Sequence, residues 1–403
     1  MISKIFKNLE KIFIQKFIIG NDKREKIFKE EGLVKVLSPG RINIIGEHTD
    51  YNLGLSMPLA IDKYKFFIGM KNNSDKVEIY DNFLDEYYIF SLKDIVYDKD
   101  IKWSNYIKGV ISEYINRGNK ISGFSMVIDS NLPSGAGISA SAAILAGVAQ
   151  VIEEIFKLNS PKLDMMHYCH DAENSFVNVD NGFLDHFAVI YGKKNNALFL
   201  NFKDLSYDYV PLDLKDFVFL IVDSKEERHL PETDYNKRGY ECNLALEKII
   251  ELTGNRDFKS LSDIDIHLLN TLHDKLEGKL FKRVKHVVTE NNRVLEAKEY
   301  LQKNEFESLG KLLFESHKSL KDEYEVSTER LDFLINSCMS INGVPGARLM
   351  GAGFGGSILC LVRNDKVDLI ERKLNKEYYK EFNQTPDFIS CNFSDGVMVY
   401  RGI

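Results

Sequence analysis

Apolar residues recur every three or four positions at the start of the chain, at Ile2, Phe6, Leu9, Phe13 and Phe17, which predicts an amphipathic helix docked on the fold. Short apolar or alternating runs predict strands near residues 34–38, 65–70, 77–81, 123–129 and 196–201, mixed with helical stretches near 104–116, 140–156 and 163–176. A second block opens with the apolar strand Phe217 to Asp223 and continues with helical patterns at 235–253 and 286–303. From Phe306 to Asp322, the residues Phe306, Leu309, Leu313 and Leu320 mark one helix face, and strand-like runs follow at Ile358 to Val362 and Gly396 to Tyr400. The mixture reads as α+β. A length of 403 residues suits two domains, and the change of pattern between 205 and 215 divides them into 1–208 and 209–403.

Composition narrows the class. Apolar residues make up 44% of the chain and charged residues 28%, as in a soluble globular protein. The net charge of -7, with no block of like charges, argues against nucleic acid as a partner. No apolar run approaches the roughly 20 residues that span a bilayer. Lys7, Glu10, Lys11 and Lys16 interrupt the N-terminal apolar stretch, so it does not read as a signal peptide, and docking on the fold is preferred to a membrane-surface helix. The five cysteines, Cys169, Cys242, Cys338, Cys360 and Cys391, are widely spaced and form no metal-ligand run, which reads as reduced, buried thiols in a cytoplasmic protein.

Three glycine-bearing segments carry the candidate chemistry. In Ser38-Pro-Gly-Arg-Ile-Asn-Ile-Ile-Gly-Glu-His-Thr-Asp-Tyr-Asn52, taken as a loop after a strand, Arg41, Glu47, His48 and Asp50 offer donors and acceptors suited to the hydroxyls of a sugar. The plainer reading is a solvated turn initiated by Asp50 and Asn52. The second segment, Asn131-Leu-Pro-Ser-Gly-Ala-Gly-Ile-Ser-Ala-Ser-Ala-Ala143, joins a strand to an apolar helix. There Gly135 and Gly137 let backbone N–H groups approach a phosphate, the helix N-terminus adds unpaired donors, and Ser139 and Ser141 add hydroxyls that can cap the helix or ligate magnesium. Walker, Rossmann and protein-kinase signatures are absent from it. The third segment, Gly346 to Ser357, carries five glycines, a density that suggests a backbone purpose.

In this order and spacing the segments resemble the signature motifs of the superfamily that joins galactokinase, homoserine kinase, mevalonate kinase and phosphomevalonate kinase. Gly40 to Tyr51 resembles the galactokinase signature, as do Thr233-Asp-Tyr-Asn-Lys-Arg238 with Glu241-Cys242, His286-Val-Val-Thr-Glu290, Glu315-Ser-His-Lys-Ser319 and Tyr324-Glu-Val-Ser327. The resemblance implies a two-domain α+β small-molecule kinase, active as a monomer, with its site in the interdomain cleft and ATP and Mg2+ as phosphoryl donor and metal. It further implies transfer to the C1 hydroxyl of galactose. By the same resemblance Asp185 is the general base and Arg41 the cation beside it. Glu47, His48, Asp50, Gly182 and Tyr235 match sugar-contacting positions, Ser141 and Glu173 the magnesium ligands, and Gly135, Gly137 and Ser139 the phosphate cradle. Trp103 and Tyr106 lie where an adenine wall would stand, although aromatics in this place also read as ordinary core.

Four positions depart from the family pattern. Asn181 stands where Cys is usual, His186 where Gln is usual, Ala140 where the phosphate loop has a serine, and Ser38 where an alanine precedes Pro-Gly-Arg. Asn181 and His186 flank the sugar and the base and so bear on substrate and pH optimum. A catalytically silent sugar sensor is a second reading; the uninterrupted Gly137-Ile-Ser-Ala-Ser-Ala-Ala143, with Arg41, Ser141 and Asp185 all present, favours the enzyme. Kinases for N-acetylgalactosamine, arabinose or galacturonate remain open, because small pocket changes alter selectivity by only about 1–3 kcal/mol.

Overall fold

The computed structural model describes residues 1–133, 135–179, 181–226 and 232–402, the side chains of residues 232–235 excepted. Its first sheet has six strands in the order Met398–Val399, Val34–Asn43, Pro58–Lys71, Phe124–Ser130, Lys76–Asp81, Glu86–Ser91. All neighbours run antiparallel except Lys76–Asp81 against Phe124–Ser130. Alternation along the strands gives each face its own core. Val36, Phe67 and Met126 pack under the helices Ser104–Asn116, Ala140–Phe156, Lys162–Asp171 and Leu184–Tyr191. Leu37, Phe66, Ile68 and Val127 point the other way, onto Phe6, Leu9 and Phe13 of the N-terminal helix Ile2–Phe13. That helix therefore covers a sheet face, as its apolar stripe predicts.

The second sheet is antiparallel, ordered Gly346–Met350, Ser357–Arg363, Phe217–Asp223, Asp387–Ser390. Leu220, Val222, Ile358 and Cys360 face the helices Glu329–Met339, Val367–Phe382 and Gly278–Lys303. On the other face Phe219, Ile221, Leu359 and Leu361 share one core with Ile42, Ile44 and Leu59 of the first half and with Leu309 and Leu313 of the helix Phe306–Asp322. The two halves thus meet through a buried apolar seam, and the site lies along it. A small third sheet joins Leu55–Ser56, Asn196–Asn201 and Ser206–Pro211. Among the described residues no helix is long and apolar enough to cross a membrane.

Several elements differ from expectation. The strand expected at 34–38 runs on to Asn43, so the first candidate segment begins as strand; a register shift between Pro39 and Gly40 lets proline sit in the ladder. The run expected at Gly396 to Tyr400 narrows to Met398–Val399 and pairs with Val36 and Leu37 of the first sheet, a partner that a period-two pattern does not specify. The helix expected over 163–176 is α-helical only over Lys162–Asp171 and ends in a wider turn, Ala172–Phe176, in which the backbone bonds skip one residue further.

Candidate active site

A cleft of about 910 Å³ opens where the first two glycine-bearing segments meet the second sheet. One polar cluster in it is built on Asp185, in the first turn of the helix Leu184–Tyr191, where the helix dipole favours a carboxylate. Arg41 Nε donates to Asp185 Oδ1 at 2.6 Å and Ser139 Oγ donates to Asp185 Oδ2 at 2.5 Å. Arg41 Nη1 donates to Gly137 O at 2.5 Å, which ties strand, loop and Asp185 together. Burial pushes the Asp185 carboxyl up, but the Arg41 guanidinium and the Ser139 hydroxyl outweigh it and hold the group below the usual carboxylate range. Asp185 is therefore a charged acceptor at neutral pH.

The second segment has backbone geometry suited to an anion. Gly135 and Gly137 take φ of 81° and 72°, left-handed values that expose backbone N–H groups without a side chain. Ser139, with φ 58°, holds a left-handed conformation unfavourable for a residue with a Cβ, and it makes no side-chain cap bond to the helix Ala140–Phe156. The hydroxyl expected to touch phosphate is instead committed to Asp185. The first-turn amides of the helix consequently remain for a bound anion, and Ser141 lines the cleft beside them.

Glu47, His48 and Asp50 also line the cleft. Gly182 packs against the Asp50 carboxylate so closely that a Cβ would overlap it. Burial pushes the Asp50 carboxyl up to about 7, and the charge of Asp185 adds to the shift. Burial likewise lowers His48 to about 3, with His286 adding to it, so the ring is neutral; its Nδ1 lies 2.8 Å from the Tyr51 hydroxyl. Glu47 Oε1 accepts from Arg348 Nη2 at 3.0 Å and from the Gly351 N–H at 2.8 Å, which joins the first segment to the third. Arg348 is fully buried and also donates to Ile44 O at 2.6 Å and to Asn43 O.

The remaining motifs buttress this wall from behind. Glu290 Oε1 accepts from the Gly46 N–H at 3.0 Å and from Ser316 Oγ at 2.7 Å. His286 Nε2 lies 3.1 Å from Glu47 O, and the Tyr324 hydroxyl lies 2.8 Å from that of Tyr51. Glycines of the third segment, among them Gly351, Gly353 and Gly355 at φ of 81°, 75° and 113°, let it turn tightly against both halves, and Ser357 Oγ donates to Ala136 O of the second segment at 2.7 Å.

The structure thus brings Arg41, Glu47, His48, Asp50, Tyr106, Gly135, Gly137, Ser139, Ser141, Glu173, Gly182 and Asp185 to one cleft. Trp103 stands elsewhere: it is not among the described lining residues, and its indole N–H donates to Glu86 Oε2 at 2.7 Å. The Tyr235 side chain lies outside the described residues. Asp223, Lys225, Glu226 and Gln384 form the opposite wall and had no signal in the sequence, since they follow or neighbour second-sheet strands without a motif. Glu173, nearly fully buried in the wider turn, has Oε2 without a hydrogen bond. With Ser141 it offers an all-oxygen donor pair suited to a hard divalent ion that takes its remaining ligands from nucleotide and water. No group of three or more His, Cys, Asp or Glu that could cage an ion by itself occurs among the described residues.

Three family models match the chain: the galactokinase galactose-binding signature over residues 25–69, the GHMP kinases N terminal domain over 105–193 and the GHMP kinases C terminal over 297–380. The galactokinase of Thermosipho africanus is 40% identical over 365 residues, 90% of this chain and 99% of that protein. The galactokinase of Fusobacterium nucleatum is 36% identical over 92% of this chain and 96% of its own. Among solved structures, Lactococcus lactis galactokinase complexed with galactose superposes with a TM-score of 0.86 at 33% identity, covering 93% of this chain and 98% of that one. Methanococcus jannaschii mevalonate kinase, at 18% identity and a TM-score of 0.64 over 90% of this chain and 98% of its own, shares the fold.

Proposed function

The chain belongs to the galactokinase family, and from that premise we propose that it transfers the γ-phosphoryl group of ATP to the C1 hydroxyl of D-galactose, with Asp185 as base. The observation that carries this reading is the Arg41–Asp185–Ser139 cluster, set between a phosphate cradle and a carboxylate-rich pocket. Asp185, kept ionised, accepts the proton of the C1 hydroxyl while that oxygen bonds to phosphorus and the bond to the β–γ bridging oxygen breaks, releasing ADP. Arg41 holds Asp185 in place and offsets negative charge on the transferring group. Asp50, Glu47 and the neutral His48 ring orient the sugar hydroxyls, and Gly182, without a side chain, lets the Asp50 carboxylate take its place in the pocket. Tyr235 joins the sugar set and Tyr106 the nucleotide side, with Trp103 further out.

Ser141 and Glu173 would hold Mg2+, which supplies charge neutralisation at the ATP phosphates when bound. We read the molecule as a monomeric, cytoplasmic enzyme of two domains, 1–208 and 209–403, acting on neither nucleic acid nor membrane. Its acidic net charge and five unpaired, buried thiols support that setting. The test is ATP consumption by the purified protein with Mg2+ across D-galactose, N-acetylgalactosamine, arabinose, galacturonate, glucose, mevalonate and homoserine. Selective turnover of galactose is expected; preference for another acceptor moves the substrate, and no turnover despite sugar binding overturns the reading.

A further inference from the structure

Three buried polar atoms without a hydrogen bond meet beside the base: Glu173 Oε2 and both ring nitrogens of His186. His186 Nε2 lies 2.9 Å from Glu173 Oε2, and the two side chains are 0% and 2% exposed. The pair is at hydrogen-bond distance without hydrogen-bond alignment, an arrangement that in ligand-free sites often tightens once the ligand binds. Leaving such groups unpaired is costly, which argues that they are held for a purpose. The ring has little freedom, because His170 meets it edge-on with centroids 5.8 Å apart and is itself stacked on Phe183 at 3.9 Å. Glu173 lines the cleft, and Oε1 is its oxygen not set against His186. The wider turn Ala172–Phe176 packs tightly against Gly109, which fixes the backbone that carries Glu173.

We propose that His186 is a positioning residue for the divalent ion: its Nε2–H holds Glu173 Oε2 and thereby aims Oε1 at the metal–nucleotide complex. This rests on the reading of Glu173 as a metal ligand. Partners that orient a ligand in this way typically contribute about 10- to 100-fold in metal affinity.

Two amide variants of different reach, checked by thermal melts, separate positioning from packing. The amide nitrogen of His186→Gln reaches the place of Nε2, whereas that of His186→Asn stops near Nδ1. Binding of Mn2+ is followed by electron paramagnetic resonance in the presence of the β,γ-imido analogue of ATP, with thermal melts to check folding. His186→Asn is expected to weaken Mn2+ binding by about 10- to 100-fold, and His186→Gln to stay within about threefold of wild type. Galactose binding without metal is expected to be unchanged in both. If Glu173→Ala loses the ion but His186→Asn keeps wild-type affinity, the positioning role is overturned and the ligand reading stands. If Glu173→Ala also keeps wild-type affinity, both fall. Nitrogen hyperfine coupling to Mn2+ that disappears in His186→Gln would make His186 itself a ligand and overturn the proposal.

Discussion

Asp185 and Asp50 face the same cleft and are driven in opposite directions. Asp185 has a guanidinium and a hydroxyl on its two oxygens, and they hold its carboxyl below the usual range in spite of burial. Asp50 sits in the short turn Asp50–Asn52; burial, followed by the negative charge of Asp185, raises it to about 7. Identical side chains thus acquire different charge states from their neighbours, which suits one to the base and the other to the recognition group proposed above.

Substitutions can break this contrast from either side. The largest effect is expected at the base: Asp185→Asn should lower turnover by about 10²- to 10⁴-fold in rapid-quench measurements, with ATP and sugar still binding. Arg41→Ala should cost about 10²- to 10³-fold in kcat. It should also make the two carboxylates more alike, shifting the acid limb of the kcat/KM profile to higher pH as Asp185 loses its cation. Gly182→Ala sets a methyl group against the Asp50 carboxylate and should raise KM for galactose by roughly 10- to 100-fold while leaving the melting temperature nearly unchanged.

Asp50 gives the pH signature. In the proposed complex sugar hydroxyls donate to its ionised form, so galactose affinity measured by calorimetry should fall about tenfold per pH unit below 7, and Asp50→Asn should abolish that slope. For stability the sign is the reverse of the usual paired carboxylate. The folded group binds its proton more tightly than the unfolded one, so its contribution falls as pH rises from about 4 to about 7. Asp50→Asn should therefore gain stability over wild type across that window and keep the gain above it. Smallest of all, Trp103→Phe should change ATP affinity by less than about twofold, since its indole lies outside the described lining.

The same contrast separates what was legible in the sequence from what was not. The glycine turn into the helix Ala140–Phe156 was legible because left-handed backbone at Gly135 and Gly137 favours glycine, and an apolar helix follows directly. The helices Ser104–Asn116, Ala140–Phe156 and Phe306–Asp322 matched their apolar stripes end to end. Val367–Phe382 escaped notice because its buried Ile370, Leu374 and Tyr378 are submerged among Lys and Glu residues. Arg348 also escaped: a lone cation in an apolar, glycine-flanked strand signals a buried partner, but its partner Glu47 lies 301 residues away. Asp223, Lys225, Glu226 and Gln384 reach the cleft only through sheet pairing, which no local pattern encodes.

The most direct test of the account is phosphorus NMR of the product formed from galactose and Mg-ATP by the wild-type protein and by Asp185→Asn side by side. The account predicts a single phosphate ester on C1 from the wild type, and none from the variant on the same timescale although it still binds both substrates. A phosphate on any other hydroxyl, or equal product from Asp185→Asn, would contradict it.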